Sequence, residues 1–259
     1  MLKSERENEI IQILTKRGFA RVKELAEALY ASESSIRRDL VRLEEYGVIR
    51  RSHGGAECIT SRTSIMPFGQ RSYDSVEEKM SIATLARTLI REGDVIFLDQ
   101  SSTAYFLASA ISGLKNLTVV TNNTEIVTLL SKTDITLYST GGVIFKNNPT
   151  CLVGGMAEAA FSRFVADVMF FSTSAVSDSG ELLDLSEEEV FTREAMLKSA
   201  RKKVFLCNGK KIGKNAPYVQ CRLSEVDVVI SENDSFEKFR KNFPRLELLY
   251  PKNSTEKRK

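Results

Sequence analysis

The chain has 259 residues, 42% hydrophobic and 27% charged, the balance of a soluble globular protein with one large domain or two ordinary ones. No stretch approaches the ~20 apolar residues of a membrane span, and the N-terminus lacks the uncharged apolar run of a signal peptide, so a cytoplasmic protein without membrane contact is expected. A net charge of +3 is too small to argue nucleic-acid binding by itself, and a single histidine with four scattered cysteines (Cys58, Cys151, Cys207, Cys221) excludes a His-rich metal site and a Ser-His-Asp triad; neither a metal nor a cofactor is expected.

Residues 4–17 predict a first helix. Ser4 and Glu7 have capping-box spacing, Ile10, Ile11, Ile13 and Leu14 supply an apolar face, and Gly18 stops it. Phe19–Arg21 is expected to be a short link. Val22, Leu25, Ala26 and Leu29 predict a second helix over 22–30, with Tyr30-Ala31 as a turn. Ser32 stands where an N-cap would. After it Ile36, Leu40 and Leu43 recur at i, i+4, i+7, one buried face of a third helix. Each residue turns a helix by about 100°, so Ser34, Arg38, Val41 and Glu45 lie nearly opposite, with Arg42 beside them and Ser35 and Arg37 on the flanks. Asp39 falls near the buried side, where pairing with a cation inside the module is expected. Gly47 ends the helix. Val48 and Ile49 then start a strand, Arg50 and Arg51 are paired cations, and Gly54-Gly55 permits a tight turn.

Three helices and a Gly-tipped basic hairpin are the parts of a winged helix-turn-helix. Ser34, Ser35, Arg37, Arg38 and Arg42 are the candidates for a DNA major groove, where Arg pairs with guanine edges and Ser with bases or phosphates. Arg50, Arg51 and His53 are the candidates for a phosphate-touching wing. An ordinary amphipathic helix with a solvated charged face is commoner in proteins at large; the two preceding helices tip the balance toward DNA.

The residues Val22-x-x-Leu25-Ala26, Ser32-x-x-Ser35-Ile36-Arg37-Arg38-Asp39-Leu40-x-x-Leu43-Glu44-x-x-Gly47 and Arg51-Ser52-His53-Gly54-Gly55-Ala56 together resemble the DeoR family of bacterial transcriptional regulators. That family usually has Thr at the position of Ser35. The resemblance implies a sugar-phosphate-sensing domain behind the DNA-binding module, similar in fold to ribose-5-phosphate isomerases. It also implies that Arg71 and Lys79 stand at recurrent basic positions.

Residues 57–75 lack clean periodicity and read as a linker. Helix 76–91 follows, and from 94 the pattern turns to strand–loop–helix units. Strands are expected at 95–98, 117–121, 135–138, 168–172, 203–207, 227–231 and 246–250. Helices are expected at 104–111, 124–131, 156–165, 186–200 and 235–242. Such alternation predicts an α/β domain, a doubly wound, mostly parallel sheet with helices on both faces. The expected domains are 1–57 for the winged helix-turn-helix, 58–75 for the linker, 76–252 for the sensor and 253–259 for a basic, disordered tail.

Ligands of open α/β sheets bind outside the C-terminal strand ends. Ser101, Ser102 and Thr103 supply hydroxyls at a helix start, where free N–H groups favour an anion such as phosphate. Asp99 has the wrong charge for phosphate but can accept from sugar hydroxyls. Thr121 ends the second strand. Asn122 and Asn123 can both donate and accept, as polyols require. Gly141 and Gly142 allow close backbone approach. Lys211 places a cation at the same edge. Each feature alone is more often a cap, a turn or a solvated charge; together they favour a ligand site. The resemblance places Asp99, Ser102, Thr103, Thr121, Asn122, Gly141, Gly142, Lys211 and Gly213 on the family's effector-binding turns. Two departures stand out: Ser101 replaces the usual Gly, and Asn208 the usual Asp. Glu187, Glu188 and Glu189 follow Ser186 at a helix start, where acids suit the dipole, so capping is the preferred reading.

The resulting expectation is a DNA-binding regulator, a repressor of a sugar-catabolism operon, that binds a double-stranded operator under control of a phosphorylated sugar. Half-site geometry favours a homo-oligomer, dimer or tetramer. The alternative is a sugar-phosphate isomerase-like enzyme using Asp99, Glu187 and Lys211.

Overall fold

The computed structural model describes residues 3–45, 49–58, 66 and 68–251. The chain divides into two compact units, Met1–Ser75 and Val76–Lys259.

The first unit contains α1 (Lys3–Arg17), β1 (Phe19–Arg21), α2 (Val22–Ala28), α3 (Glu33–Glu45), β2 (Ile49–Ser52), β3 (Gly55–Cys58) and α4 (Phe68–Tyr73). Its core is Ile10, Leu14, Leu25, Ile36, Leu40, Leu43 and their neighbours, the residues whose helical spacing marked them as apolar faces. Burying each such Leu or Ile stabilises the unit by about 1.5–3 kcal/mol. Three local expectations change. Phe19–Arg21 is a strand that pairs antiparallel with β3, completing a three-stranded sheet. Ser52 pairs with Gly55, so the hairpin turns at His53-Gly54 and not at Gly54-Gly55. Gly55 lies in the strand, paired with Arg21 and Ser52, and must be glycine because a Cβ there would stand 2.4 Å from the Ala20 carbonyl oxygen. Ser4 lies inside α1, and Glu7 faces Arg42 and Tyr73 instead of closing a capping box. The end of α3 at Gly47 and the start of the wing at Val48 lie outside the described residues, as do 59–65, 67 and the tail. Within the expected linker, α4 belongs to the first unit: Tyr73 packs on its core and donates to Glu7.

The second unit is built on seven parallel strands. In chain order its helices and strands are α5 (Val76–Arg87), β4 (Val95–Leu98), α6 (Ser102–Ile111), β5 (Thr118–Thr121), α7 (Thr124–Leu130), β6 (Thr136–Ser139), β7 (Val143–Ile144), β8 (Leu152–Val153), α8 (Gly155–Phe161), β9 (Ala166–Phe171), β10 (Ala175–Val176), β11 (Glu181–Asp184), α9 (Glu187–Lys198), β12 (Ala200–Leu206), β13 (Tyr218–Arg222), β14 (Val228–Ile230) and β15 (Glu247–Leu249). The main sheet has the order β15-β14-β12-β9-β4-β5-β6. Along each inner strand successive side chains serve opposite faces. Val168 and Phe170 join the core under α5, α6 and α7, whereas Met169 and Phe171 join the core with Phe161 of α8 and Met196 of α9. The sheet is therefore doubly wound, with continuous apolar runs because both faces are covered. Strand order reverses at β4, which has β5 on one side and β9 on the other; this is the switch point where such sheets bind ligands.

Two additions were not expected: an antiparallel β7–β8 hairpin and a small antiparallel sheet of order β10-β11-β13. The helix expected at 235–242 is a 3-10 helix over Asp234–Phe239, whose three-residue turn stacks the buried Phe236 and Phe239. Among the described residues no helix is long and apolar enough to cross a membrane.

Candidate functional site

In the first unit, Ser32 starts α3 by accepting from the Ser35 amide (3.3 Å), and its hydroxyl lies 3.0 Å from Ser34 Oγ and 2.9 Å from Ser35 Oγ. Three hydroxyls thus crowd the exposed N-terminal end of the helix. Arg37 and Arg38 are exposed one turn later. Their contacts are local: Arg37 pairs with Glu33 at 3.1 Å, and Arg38 donates to Ser35 Oγ at 3.4 Å. Arg50, Arg51 and His53 are exposed on the hairpin. Arg51 pairs with Glu44 at 2.5 Å, and its backbone and side-chain donors hold the Glu44 carboxyl below the usual carboxylate range. Arg42 differs. It bonds Glu7 at 2.8 Å and also Asp39, which is itself buried and bonded by Arg6 at 2.5 Å. The sequence reading of Asp39 as an internal partner holds. The reading of Arg42 as groove-facing does not, because its guanidinium is committed inward to two carboxylates that fasten α1 to α3.

At the carboxyl edge of the main sheet, Asp99 follows β4 and is fully buried. It accepts from the Ser101 amide (3.0 Å), from the Ser172 amide across the switch point (3.1 Å) and from Arg193 Nε (3.1 Å). These bonds hold two loops and Arg193 in place, which favours a positioning role for Asp99 over the expected role of receiving sugar hydroxyls or acting as a general base. Arg193, on α9, is also fully buried. It lies 3.1 Å from Asp184 and donates to Gln220 Oε1 at 2.6 Å. Burial alone would lower its pKa; Asp184, Asp99 and Glu189 outweigh that and raise it.

Ser101 is the N-cap of α6, accepting from Ala104 N at 3.1 Å with φ −74°. The helix therefore begins two residues earlier than its periodicity implied, and Ser102 and Thr103 are buried in its first turn. Thr121 Oγ1 accepts from the Asn123 amide, and Asn123 Oδ1 caps α7 from Glu125 N at 2.8 Å. Asn122 is buried and donates to Leu152 O at 3.1 Å. Lys211 Nζ donates to Ser172 Oγ at 2.9 Å and Thr173 O at 2.6 Å, so the cation sits at the mouth of the β9 loop. Gly141 and Gly142 both take positive φ, but a Cβ on Gly142 would meet Val153 O at 2.7 Å. Packing against β8 thus accounts for Gly142 without a ligand. Gly213 also takes positive φ, 77°, and its amide donates to Val176 O at 2.8 Å, so it closes the turn that follows Lys211.

Residues 74–233 match the model of the DeoR C-terminal sensor domain, and residues 6–62 that of the DeoR-like helix-turn-helix domain. The chain belongs to the DeoR family of transcriptional regulators. It is 34% identical over 242 residues to the lactose phosphotransferase system repressor of Staphylococcus epidermidis, covering 92% of this chain and 95% of that protein. It is 30% identical over 233 residues to the glycerol-3-phosphate regulon repressor of Escherichia coli, covering 90% and 92%. Among solved structures, ribose 5-phosphate isomerase A of Methanocaldococcus jannaschii aligns over 54% of this chain and 55% of that one, with 16% identity and a TM-score of 0.40, a likeness too slight to argue from.

For this DeoR-family chain the two departures from the family pattern have local explanations. Ser101 needs no glycine, since its backbone is extended and its hydroxyl caps a helix. Asn208 Oδ1 still accepts from Lys210 N at 2.8 Å, as a carboxylate oxygen would. Of the acidic trio, Ser186 Oγ accepts from Glu189 N at 3.2 Å, so the capping reading stands; Glu189 is also buried and accepts from Asn148 at 2.8 Å. Lys79 is buried and Arg71 lies over the Phe68 ring at 5.7 Å, so neither is a plain surface charge. Sequence reasoning missed Gln100, Asp184, Arg193 and Gln220. One signal was available: Val190, Arg193 and Met196 share the i, i+3, i+6 stripe of α9, which puts an arginine among buried positions.

Proposed function

We propose that this DeoR-family regulator is a repressor that holds an operator duplex through α3 and the wing and releases it when a phosphorylated sugar occupies the switch-point edge of its second unit. Ser34, Ser35, Arg37 and Arg38 enter the major groove; Arg50, Arg51 and His53 lie along phosphates. Arg42 is left out of the interface and holds α1 to α3. The phosphate is received at the first turn of α6, by Ser102 and Thr103, with Lys211 near by; Asn122 and its neighbours meet the hydroxyls. Asp99 and Gly142 shape the edge instead of touching the ligand.

The observation that carries this reading is that the Ser101–Thr103 helix start and the Asn122-Asn123 turn follow the adjacent strands β4 and β5, while Lys211, after β12, bonds the loop that follows β9, the other neighbour of β4. Two copies of the reading helix would meet half-sites roughly 34 Å apart, one turn of duplex, which requires a homo-oligomer. The sugar works only by favouring one arrangement of the copies over the other. The likeness to a lactose phosphotransferase system repressor and a glycerol-3-phosphate regulon repressor points to a sugar- or polyol-related regulon.

The test is fluorescence anisotropy of the full chain on duplex DNA from upstream of its own and neighbouring genes, with and without a panel of sugar phosphates. Tight, salt-dependent binding that one sugar phosphate abolishes is the expected result. Turnover of any such compound by the purified protein, or DNA binding indifferent to the whole panel, would overturn the proposal.

A further inference from the structure

Gln100, which pairs with the buried Asn122, is the part of this edge that no motif accounts for. Gln100 is 1% exposed and Asn122 0%, and the two residues follow the adjacent strands β4 and β5. Asn122 Nδ2 donates to Gln100 Oε1 at 3.3 Å and to Leu152 O at 3.1 Å. That satisfies one half of each amide. The other halves, Gln100 Nε2 and Asn122 Oδ1, have no hydrogen-bond partner among the described residues. Exchanging oxygen and nitrogen does not cure this. Turning Asn122 over would set its oxygen against the Leu152 carbonyl, and turning Gln100 alone would set two NH2 groups against each other. The Leu152 carbonyl therefore fixes the assignment: one donor and one acceptor are left over, on residues that follow neighbouring strands. Buried polar groups are paired as a rule, and an unpaired couple at a ligand-binding edge is an incomplete recognition element.

We infer that Gln100 and Asn122 read hydroxyl groups of the effector, Gln100 Nε2 donating to a hydroxyl oxygen and Asn122 Oδ1 accepting a hydroxyl proton. This rests on the sugar-phosphate reading above and narrows it. A phosphate oxygen would satisfy Gln100 but face Asn122 Oδ1 with a second acceptor. A C–H would satisfy neither. A hydroxyl both donates and accepts, so it suits both members of the pair. Gln100 is thereby a specificity-determining residue, and the phosphate is bound elsewhere, at α6 and Lys211.

The experiment uses the full-length protein and calorimetric titration with hexose 6-phosphates, pentose 5-phosphates, the monodeoxy counterparts of each, and inorganic phosphate. At least one parent sugar phosphate should bind, with one of its monodeoxy forms at least about tenfold weaker, since a site built around a hydroxyl rejects the analogue lacking it. Gln100→Met should bring the parent down to the level of that monodeoxy form and leave inorganic phosphate unchanged, while melting and DNA binding report that the variant is folded. Equal affinity of the unaltered protein for a parent and all its monodeoxy forms overturns the hydroxyl reading alone, whatever the variant does. Discrimination kept by a folded Gln100→Met variant overturns the role of Gln100. Failure of every sugar phosphate to bind the unaltered protein overturns the effector reading as well.

Discussion

The two units handle charge in opposite ways. On α3 and the wing, Arg37, Arg38, Arg50 and Arg51 are exposed and lean on neighbours close at hand, Glu33, Ser35, Glu57 and Glu44. Exposed pairs of this kind contribute about 0–1 kcal/mol each and are easily exchanged for a phosphate. At the sheet edge, Arg193 is shut away with Asp99 and Asp184, from segments far apart in the chain. A surface that must meet a polyanion keeps its cations loosely held; an edge that must keep its loops in register locks its charges inside. Arg42 and Asp39 show that the first unit also uses the second device, to join α1 to α3.

The contrast is broken most directly at Arg193. Arg193→Met should lower unfolding free energy in urea by about 3–5 kcal/mol, because it strands two buried carboxylates. It should also loosen the Asp99 loop and weaken any effector response. An Asp99→Asn change, which keeps an acceptor for only one of the Ser101 and Ser172 amides but leaves Arg193 paired with Asp184, should cost less than Arg193→Met. A cost within the surface-pair range for Arg193→Met would dissolve the contrast.

A second large effect concerns the buried thiols. Burial pushes the Cys207 and Cys221 thiols up to about 12. Their unfolded value is near 8.5, so the folded state favours the neutral form. That stability is complete below pH ~8.5 and is lost as pH rises toward 12. Alkylation by iodoacetamide at pH 8.5 should be slow in the folded protein and fast in urea, and thermal stability should fall between pH 9 and 12. Rapid modification of Cys207 in the native state would sink this account.

On the DNA side the contrast separates Arg42 from Arg38. Arg42→Ala should destabilise the first unit by about 2 kcal/mol, leaving Asp39 and Glu7 short of a partner. Arg38→Ala should leave the melting temperature alone and cost about 1–3 kcal/mol of discrimination between operator and scrambled DNA. Arg51→Ala should weaken both duplexes alike and reduce the salt slope by about 0.9. If Arg42→Ala relaxed sequence preference without loss of stability, its inward assignment would be wrong.

Much of this was legible because periodicity is local. Ile36, Leu40 and Leu43 mark the inner face of α3 without reference to any other segment, and short apolar runs, Val95–Leu98, Val119-Val120 and Val228–Ile230, mark β4, β5 and β14. What escaped depends on distant partners. β10 has two residues and exists because β11 pairs with it; β1 exists because β3 does. Asp99 and Arg193 are 94 positions apart, so nothing near either residue reveals that both are consumed by each other. The turns themselves were legible, but their purpose divided: Ser101 and Asn123 cap helices, Gly142 makes room for Val153 O, and Gln100, in no motif, is left with an unpaired amide nitrogen.

The smallest expected effect tests that division at Ser101, where the family pattern has glycine. If the residue serves as an N-cap, Ser101→Ala should cost about 1 kcal/mol by removing the acceptor for Ala104 N, and Ser101→Gly only a few tenths. Its φ of −74° gives glycine no conformational advantage. Effector affinity measured by titration should then be unchanged in Ser101→Gly, because the amides of the first turn stay where they are. A gain in affinity on restoring glycine would mean instead that the Ser101 side chain stands in the path of the ligand, and that the edge of the second unit is tuned by bulk at this position as well as by hydrogen bonding at Gln100.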